Sequence, residues 1–137
     1  MAVLFAREGA DVSIVYLPEE KDDAKKTKEL VEKENQECQL IPGNLMDNDT
    51  CKTAIQKHIE KFVLLLICSP YILHALNNFC RRFGQINVLV NNASKQILCD
   101  NFEEIDLNNV ESSFRSNVLQ MFAITKYALP HMKKGSS

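Results

Sequence analysis

The stretch GQINVLVNNAS, residues 84–94, is the part of the sequence that decides the fold. Residues 86–90 within it are nearly all apolar, which is typical of a strand covered on both faces in a parallel sheet. Asn91, Asn92, Ala93 and Ser94 follow directly. Small and amide side chains at the carboxyl end of such a strand shape a crevice in which the ribose of a ligand fits. An Asn-rich turn that merely closes a strand is the alternative explanation for the two asparagines.

Helical and strand patterns alternate on both sides of this stretch. A helix is predicted to end at Gly9, because a glycine there allows the left-handed turn of a helix carboxyl end. Further segments follow in the order strand, helix, strand, helix, strand and helix: residues 11–16, a helix from Pro18, residues 38–42, residues 50–62 with Asp49 as cap, residues 86–90 and residues 108–134. Alternating strands and helices build a parallel sheet through crossover connections. The predicted fold class is α/β, with a doubly wound parallel sheet.

Two of the predicted helices carry apolar stripes. In the helix over residues 50–62 the stripe contains His58, which we interpret as a histidine at the edge of the core, since no second metal ligand lies near it. In the last helix the apolar side chains recur at spacings of three to five: Val110, Phe114, Val118, Phe122 and Tyr127. Lys133, Lys134 and Gly135 are predicted to end this helix.

Composition excludes several classes of protein. With 137 residues, 45% hydrophobic and 25% charged, the chain has the size and composition of one ordinary globular domain. Its net charge of -2, with basic residues spread along helices, argues against nucleic-acid binding. The five cysteines are widely spaced without a C-x-x-C pair, so no metal site is predicted. Their odd number and the charged first nine residues favour a cytoplasmic location without a targeting segment.

The stretch GQINVLVNNAS resembles the short-chain dehydrogenase/reductase family, in which a strand ending in Asn-Asn-Ala-Gly lies beside a bound dinucleotide. The resemblance implies a Rossmann-like sheet and assigns Asn91, Ala93 and Ser94 to the cofactor site, with Ser94 standing where the family usually has Gly. Asn44 and Leu45 after the strand over residues 38–42 resemble the family's Asp-Leu pair. The carbonyl oxygen of Asn44 still accepts a hydrogen bond, as the carboxylate does from the adenine amino group.

Two further positions follow from the same resemblance. Tyr16 ends the strand over residues 11–16, where such enzymes choose between NAD and NADP, but neither an acidic nor a basic residue stands there. Asn117, in SNVLQMF, matches the Asn of the family's Asn-Ser-Tyr-Lys catalytic tetrad, which holds a water in a proton relay. Asn is a mediocre residue inside a helix, costing about 0.5 kcal/mol against Ala. The alternative is a helical Asn that simply faces solvent.

The resemblance is incomplete. The family's first strand and Gly-rich loop, the C-terminal strands and the catalytic Ser, Tyr and Lys have no counterpart in residues 1–137, so we expect a partial dinucleotide-binding domain. Residues 63–83 do not fit the family pattern and are interpreted as an insertion. A membrane segment there is the competing interpretation, but residues 62–76 fall short of the ~20 apolar residues needed to span. An extension of the preceding helix, broken at Pro70, is the third.

The sequence supports two functional readings. In the first, the chain is part of an NAD(P)-dependent oxidoreductase that transfers hydride to or from an alcohol, sugar, polyol or aldehyde, as in the glucose/ribitol dehydrogenase-like or aldehyde reductase-like subgroup. Residues 1–137 alone are expected to be inactive and to bind NAD or NADP weakly. In the second, it is a non-enzymatic truncated form that associates with full-length subunits, or with itself, through the helix over residues 108–134.

Overall fold

The computed structural model describes residues 1–64 and 85–137, with side chains described except at positions 63 and 64. They form two compact units, Met1–Asn44 and Leu45–Ser137. The proposed insertion over residues 63–83 lies almost wholly outside the described residues, as does most of the competing membrane segment. Within the described ranges no helix is both long and apolar enough to cross a membrane.

The first unit is built on a pair of parallel strands. Its elements in chain order are α1 (Ala2–Arg7), β1 (Val12–Tyr16), a 3-10 turn (Pro18–Glu20), α2 (Lys21–Glu32) and β2 (Cys38–Pro42). β1 and β2 pair in register, from Val12 opposite Cys38 to Tyr16 opposite Pro42. The predicted α/β class and parallel pairing are therefore confirmed, and β2 has the predicted bounds. As expected, Gly9 follows α1 with a positive φ of 84°.

The core of this unit lies between its helices and the strands. Ala6 of α1, Val31 of α2 and Cys38 of β2 are buried together, with partly buried apolar side chains from β1 and β2 around them. The loop before β1 is fixed by Asp11, whose carboxylate accepts a hydrogen bond of 2.8 Å from the Glu37 N–H. The strands consequently enter the sheet side by side and end at the same edge.

The second unit is mainly helical. Its elements are α3 (Asn48–Leu64), a 3-10 turn (Phe102–Glu104), α4 (Leu107–Phe114), a π turn (Arg115–Leu119), α5 (Gln120–Ala128) and a last 3-10 turn (Leu129–His131). α4, the π turn and α5 follow one another without a break, so they form one long helix. α3 packs against α5. On α3, Cys51, Ala54 and Ile55 are buried.

The predicted strand over residues 86–90 is wrong as regards burial and regular pairing. No strand is assigned there, and Val88 and Val90 are 46% and 44% exposed, while Ile86 is buried. Its backbone does bond to the carboxyl end of the unit: the Leu89 N–H donates to the Ser137 oxygen and the Ser137 N–H to the Asn87 oxygen. These two bonds make a single parallel bridge. A strand covered on both faces needs longer ladders on both sides, and the described residues supply none.

The last helix differs from its prediction at both ends and on its buried face. It begins at Leu107, capped by the Asp106 carboxylate, and its α-helical part ends at Ala128 rather than at Lys134. Pro130 explains the early end, since it has no N–H to donate and constrains the residue before it. The buried residues recur every four positions, at Ser116, Gln120, Ile124 and Ala128, whereas Phe114, Val118 and Phe122 of the predicted stripe are exposed.

α3 begins two residues earlier than predicted, and its cap is a different carboxylate. The side chain of Asp47, not of Asp49, accepts hydrogen bonds of 2.8 Å from both the N–H and the Oγ1 of Thr50. Because these bonds favour the charged form, they hold the pKa of Asp47 below its ordinary value of 3.8. His58 behaves as predicted: its ring lies 4.9 Å from that of Phe62, and burial lowers its pKa.

We expect Asp47→Ala to speed amide hydrogen exchange in the first turn of α3, because the Thr50 N–H loses its acceptor. Asp49→Ala, at the exposed carboxylate two residues away, is the matched control and leaves this exchange unchanged. In the unchanged chain, the protection conferred by Asp47 is complete above pH 3.8 and is lost as the pH falls through its lowered pKa. Loss of protection in the Asp49 variant alone would assign the cap to Asp49 instead.

Candidate functional site

The segment Asn91 to Lys95 lies along the long helix of the second unit and is held there by side chains of that helix. Asn117 makes the central contact. Its Oδ1 accepts a hydrogen bond of 2.7 Å from the Lys95 N–H, and its Nδ2 donates one of 2.8 Å to the Lys95 oxygen. Both atoms of the amide are therefore committed to one residue of the segment. The solvent-facing helical Asn that the sequence left open is not what the structure shows.

Two further contacts hold the same segment. The Nε2 of Gln120, a residue only 8% exposed, donates to the backbone oxygen of Ala93. The Nδ2 of Asn91 donates to the Thr125 hydroxyl over 3.2 Å. Thus the helix meets the segment at three places, and each contact uses a side-chain amide that matches a hydrogen-bonding group opposite. We call this set of contacts the amide clamp.

The position of Asn117 depends on the π turn, Arg115–Leu119, in the middle of the helix. An i to i+5 turn widens the helix and shifts the side chains within it, and such turns occur often at functional sites. Ser116 precedes Asn117 in this turn and is buried. Its hydroxyl lies 2.9 Å from Asn117 Oδ1 and donates to it. The amide of Asn117 is thereby oriented from its own helix as well as from the segment it holds.

The remaining predicted site residues lie at other strand ends. Tyr16 ends β1, and its backbone oxygen accepts a hydrogen bond of 2.9 Å from the N–H of Gly43, the residue directly before Asn44. Tyr16 and Asn44 therefore share the carboxyl edge of the sheet in the first unit. Leu45 belongs to the second unit, where its oxygen lies 3.1 Å from the Sγ of Cys51. Burial raises the pKa of that thiol, so it serves as a neutral donor.

The chemistry of these residues fits parts of a dinucleotide. Asn91, Ala93 and Ser94 are exposed along the clamped segment, where they offer amide, hydroxyl and main-chain groups. Asn44, also exposed, adds an amide in the first unit. The pyrophosphate has no matching cradle in the described residues, because the turns before α2, α3 and α4 carry at most one glycine each. The fit therefore extends to the nucleoside groups alone.

Sequence reasoning identified Asn117 but missed Gln120, Ser116 and Thr125. Gln120 stands four residues after Ser116 and four before Ile124, so all three share one face of a helix. A polar side chain on the face that also carries Ile124 and Ala128 indicates a buried residue that needs a partner. That periodicity was available in the sequence, yet the larger side chains Phe114, Val118 and Phe122 pointed to the opposite face.

The chain is similar to known proteins over nearly its whole length. The profile of the short chain dehydrogenase family matches residues 71–137. The oxidoreductase YhdF of Bacillus subtilis is 38% identical over 134 residues, which cover 98% of this chain and 39% of the relative. The chloroplastic NADPH-dependent aldehyde reductase 1 of Arabidopsis thaliana is 33% identical over 138 residues, covering 97% of this chain and 41% of the relative. The glucose and ribitol dehydrogenase of Daucus carota is 30% identical over 138 residues, covering 97% of this chain and 40% of the relative.

Solved structures show the same fold. A short-chain dehydrogenase/reductase from Serratia marcescens superposes with a TM-score of 0.72 at 23% identity, covering 98% of this chain and 47% of that one. The chain is thus similar to short-chain dehydrogenases/reductases over nearly its whole length, and the predicted Rossmann-like fold is confirmed. It spans about 40% of the length of the curated relatives it matches.

We expect Asn117→Leu to raise the exchange rate of the Lys95 amide about tenfold, since losing a donor and an acceptor removes on the order of 1 to 2 kcal/mol. Residue-resolved hydrogen exchange measures this. Asn109→Leu makes the same change at an exposed asparagine of α4 and should leave Lys95 unaffected. Equal rates in the unchanged chain and the Asn117 variant would show that this half of the amide clamp is not formed.

Proposed function

We propose that this chain is the part of an NAD(P)-dependent oxidoreductase that holds one side of the dinucleotide, in an enzyme that transfers hydride to or from an alcohol, sugar, polyol or aldehyde. The observation that carries the proposal is the amide clamp, which fixes Asn91 to Lys95 with Ala93 and Ser94 exposed. The substrate class is supported by two relatives, named as an aldehyde reductase and as a glucose and ribitol dehydrogenase.

In this proposal the cofactor carries the hydride, and the chain supplies position. The second unit contacts the nucleoside groups of the cofactor through Asn91, Ala93 and Ser94. Asn44 accepts a hydrogen bond from the adenine amino group through its carbonyl oxygen, with Leu45 beside it, and Tyr16 lies where the two cofactors are distinguished.

Asn117 takes the tetrad position, where the family holds a water of the proton relay. Because both side-chain amide atoms of Asn117 already bond to Lys95, we propose that a relay water is held by the backbone of the π turn rather than by this side chain.

We predict no dehydrogenase activity for residues 1–137, because Asn117 is the single tetrad position in the sequence and no Tyr-x-x-x-Lys pair supplies a general acid. The measurement is NADH or NADPH turnover with aldehydes, alcohols and polyols, against a mock purification. Turnover that follows the purified chain through two chromatographic steps would contradict this.

Cofactor binding itself provides the test of the proposed function. Because the described residues offer the pyrophosphate no cradle, we expect millimolar affinity, which corresponds to about -4 kcal/mol and is accessible to ligand-observed NMR. Saturation should pass from the protein to protons of NADP or NAD. Asn44→Leu should weaken the saturation transfer to the adenine protons, whereas Asn109→Leu should leave it unchanged. The absence of any transfer at millimolar cofactor would overturn the proposal, and saturable micromolar binding would contradict the predicted weak affinity.

A second candidate function is association without catalysis, and the exposed face of the long helix favours it. Phe114 and Phe122 are 61% and 73% exposed, and the further apolar side chains Leu107, Val118 and Leu129 continue the same helix. Burying a Phe side chain contributes roughly 1.5 to 3 kcal/mol. This apolar face is exposed to water in the single chain. A full-length relative, or a second copy of the chain, could bind to it.

We expect the chain to co-elute with a full-length family member in size-exclusion chromatography through this apolar face. The double variant F114K and F122K should lose co-elution, because two charges would be buried without partners. Gln56→Lys adds a charge at an exposed position of α3 and should retain it. If the double variant co-elutes as well as the unchanged chain, association does not use this face.

A further inference from the structure

A groove in the second unit lies between α4 and the chain segment that precedes it. Its volume is about 230 Å³, and five apolar side chains line it: Ile97, Leu98, Ile105, Val110 and Phe114. The remaining lining residues on the α4 side belong to one helix face with Val110, because they recur at spacings of three and four: Asp106, Asn109 and Ser113. We call this feature the α4 groove.

The α4 groove is uncovered in the single chain. All residues from Asn91 to Arg115 are described, and none of them is buried. Leu98 is 79% exposed and Phe114 is 61% exposed, although both line the groove. Covering such apolar surface with a partner is favourable, because it removes that surface from water.

The size and surroundings of the groove favour a helical partner. Sites for small molecules usually enclose roughly 300 to 1,000 Å³, which is more than this groove offers. An extended peptide has no sheet edge to join, since no strand is assigned within residues 85–137. An amphipathic helix needs neither, because it binds by laying a few apolar side chains into a groove.

The charge around the groove determines which helix is complementary to it. Residues 96–114 contain no basic side chain and five acidic ones: Asp100, Glu103, Glu104, Asp106 and Glu111. The net charge of the whole chain is only -2, so this stretch of -5 is offset by +3 in the remainder. None of the five carboxylates forms an ion pair with the described residues, whereas four acidic residues of the first unit do.

Two of these carboxylates, Glu104 and Asp106, line the groove itself. Asp106 uses Oδ1 to cap α4, accepting hydrogen bonds of 2.9 Å from the Asn108 N–H and 3.0 Å from its Nδ2. Glu104 uses Oε1, which lies 3.4 Å from the Nδ2 of Asn101. The second oxygen of each carboxylate has no hydrogen-bond partner within residues 1–64 and 85–137. Each therefore retains an acceptor for a cationic side chain of a partner.

We propose that the α4 groove binds a basic amphipathic helix of a partner protein. The apolar side chains of that helix pack against Leu98 and Phe114. Its lysine or arginine side chains pair with Glu104 and Asp106. Apolar contact supplies most of the affinity, and the charges select the partner. The site is separate from cofactor binding, because it uses no residue of the amide clamp.

The test measures binding of a synthetic helical peptide to residues 1–137 by fluorescence anisotropy. The peptide carries leucine on one face and lysine on the other. We expect saturable binding on the order of micromolar, weakening as salt is added, because exposed charges are screened. A second peptide with glutamate in place of each lysine should bind at least about tenfold more weakly, since like charges then face each other.

Variants locate the binding in the groove. Leu98→Lys should weaken binding of the lysine peptide about tenfold, because it removes an apolar contact and adds a like charge. Leu4→Lys, at a leucine of α1 that is 61% exposed, is the matched control and should leave binding unchanged. Since Leu98 is itself exposed, its replacement should preserve the fold, which unchanged protection of the Lys95 amide verifies.

A charge-neutralising pair tests the carboxylates. Glu104→Gln combined with Asp106→Asn keeps side chains of the same size, and asparagine still caps a helix. This pair should weaken the lysine peptide about fivefold and leave the glutamate peptide no weaker than before. Glu19→Gln combined with Glu29→Gln removes two exposed charges from the first unit and should change neither.

Three results would overturn the proposal. Equal binding of the lysine and glutamate peptides would refute a basic partner. Equal binding of the lysine peptide by Leu98→Lys and by the unchanged chain would refute the groove as its site. Self-association that Leu98→Lys abolishes, with no binding of either peptide, would assign the groove to a second copy of the chain instead.

Discussion

The pair of hydrogen bonds between the side chain of Asn117 and the backbone of Lys95 is the constraint on which the rest of the site depends. It connects a helix to a segment more than twenty residues earlier in the sequence, at 2.7 Å and 2.8 Å. The segment has no ladder of its own among the described residues, so side chains of the helix take the place of a neighbouring strand. Any group that Ala93 or Ser94 offers a ligand is therefore placed by the helix.

The helix performs this task because packing holds the helix itself in place. Ile124 and Ala128 are buried on the face that carries Gln120, and α5 packs against α3. The π turn lies at the point where Asn117 must reach the segment. Packing against α3 therefore fixes the helix, the π turn adjusts one position in it, and the amides of Asn117 and Gln120 transmit that placement to Ala93 and Lys95.

The sequence predicted those elements whose cause is local. The parallel pair β1 and β2 was predicted from alternation and apolar content, and both strands are found with bounds that match or differ by one residue. Residues 86–90 have an equally apolar pattern, but burial there requires neighbouring strands on both sides. The apolar pattern of one segment does not tell which strands pair with it. The end of the long helix was misplaced because Lys133, Lys134 and Gly135 suit a helix end, whereas Pro130, whose missing N–H ends the helix, lies before them.

Of the helix side chains in the amide clamp, the sequence predicted Asn117 and missed Gln120. Asn117 was identified because a resemblance assigned a role to that position, and the structure shows a specific double contact there. Gln120 was missed because its importance comes from burial, a tertiary property, and the larger apolar residues favoured the opposite face. The cap of α3 was placed on Asp49 when Asp47 holds it, since two carboxylates two residues apart suit a helix start equally and the choice depends on where the backbone turns.

Scalar coupling through hydrogen bonds measures the pairing of Asn117 with Lys95 without relying on a variant. In a chain labelled with 15N and 13C, we expect coupling between the backbone nitrogen of Lys95 and the side-chain carbonyl carbon of Asn117. We also expect coupling between Asn117 Nδ2 and the carbonyl carbon of Lys95. Absence of both, with the Lys95 amide exchanging as fast as an open loop, would contradict it.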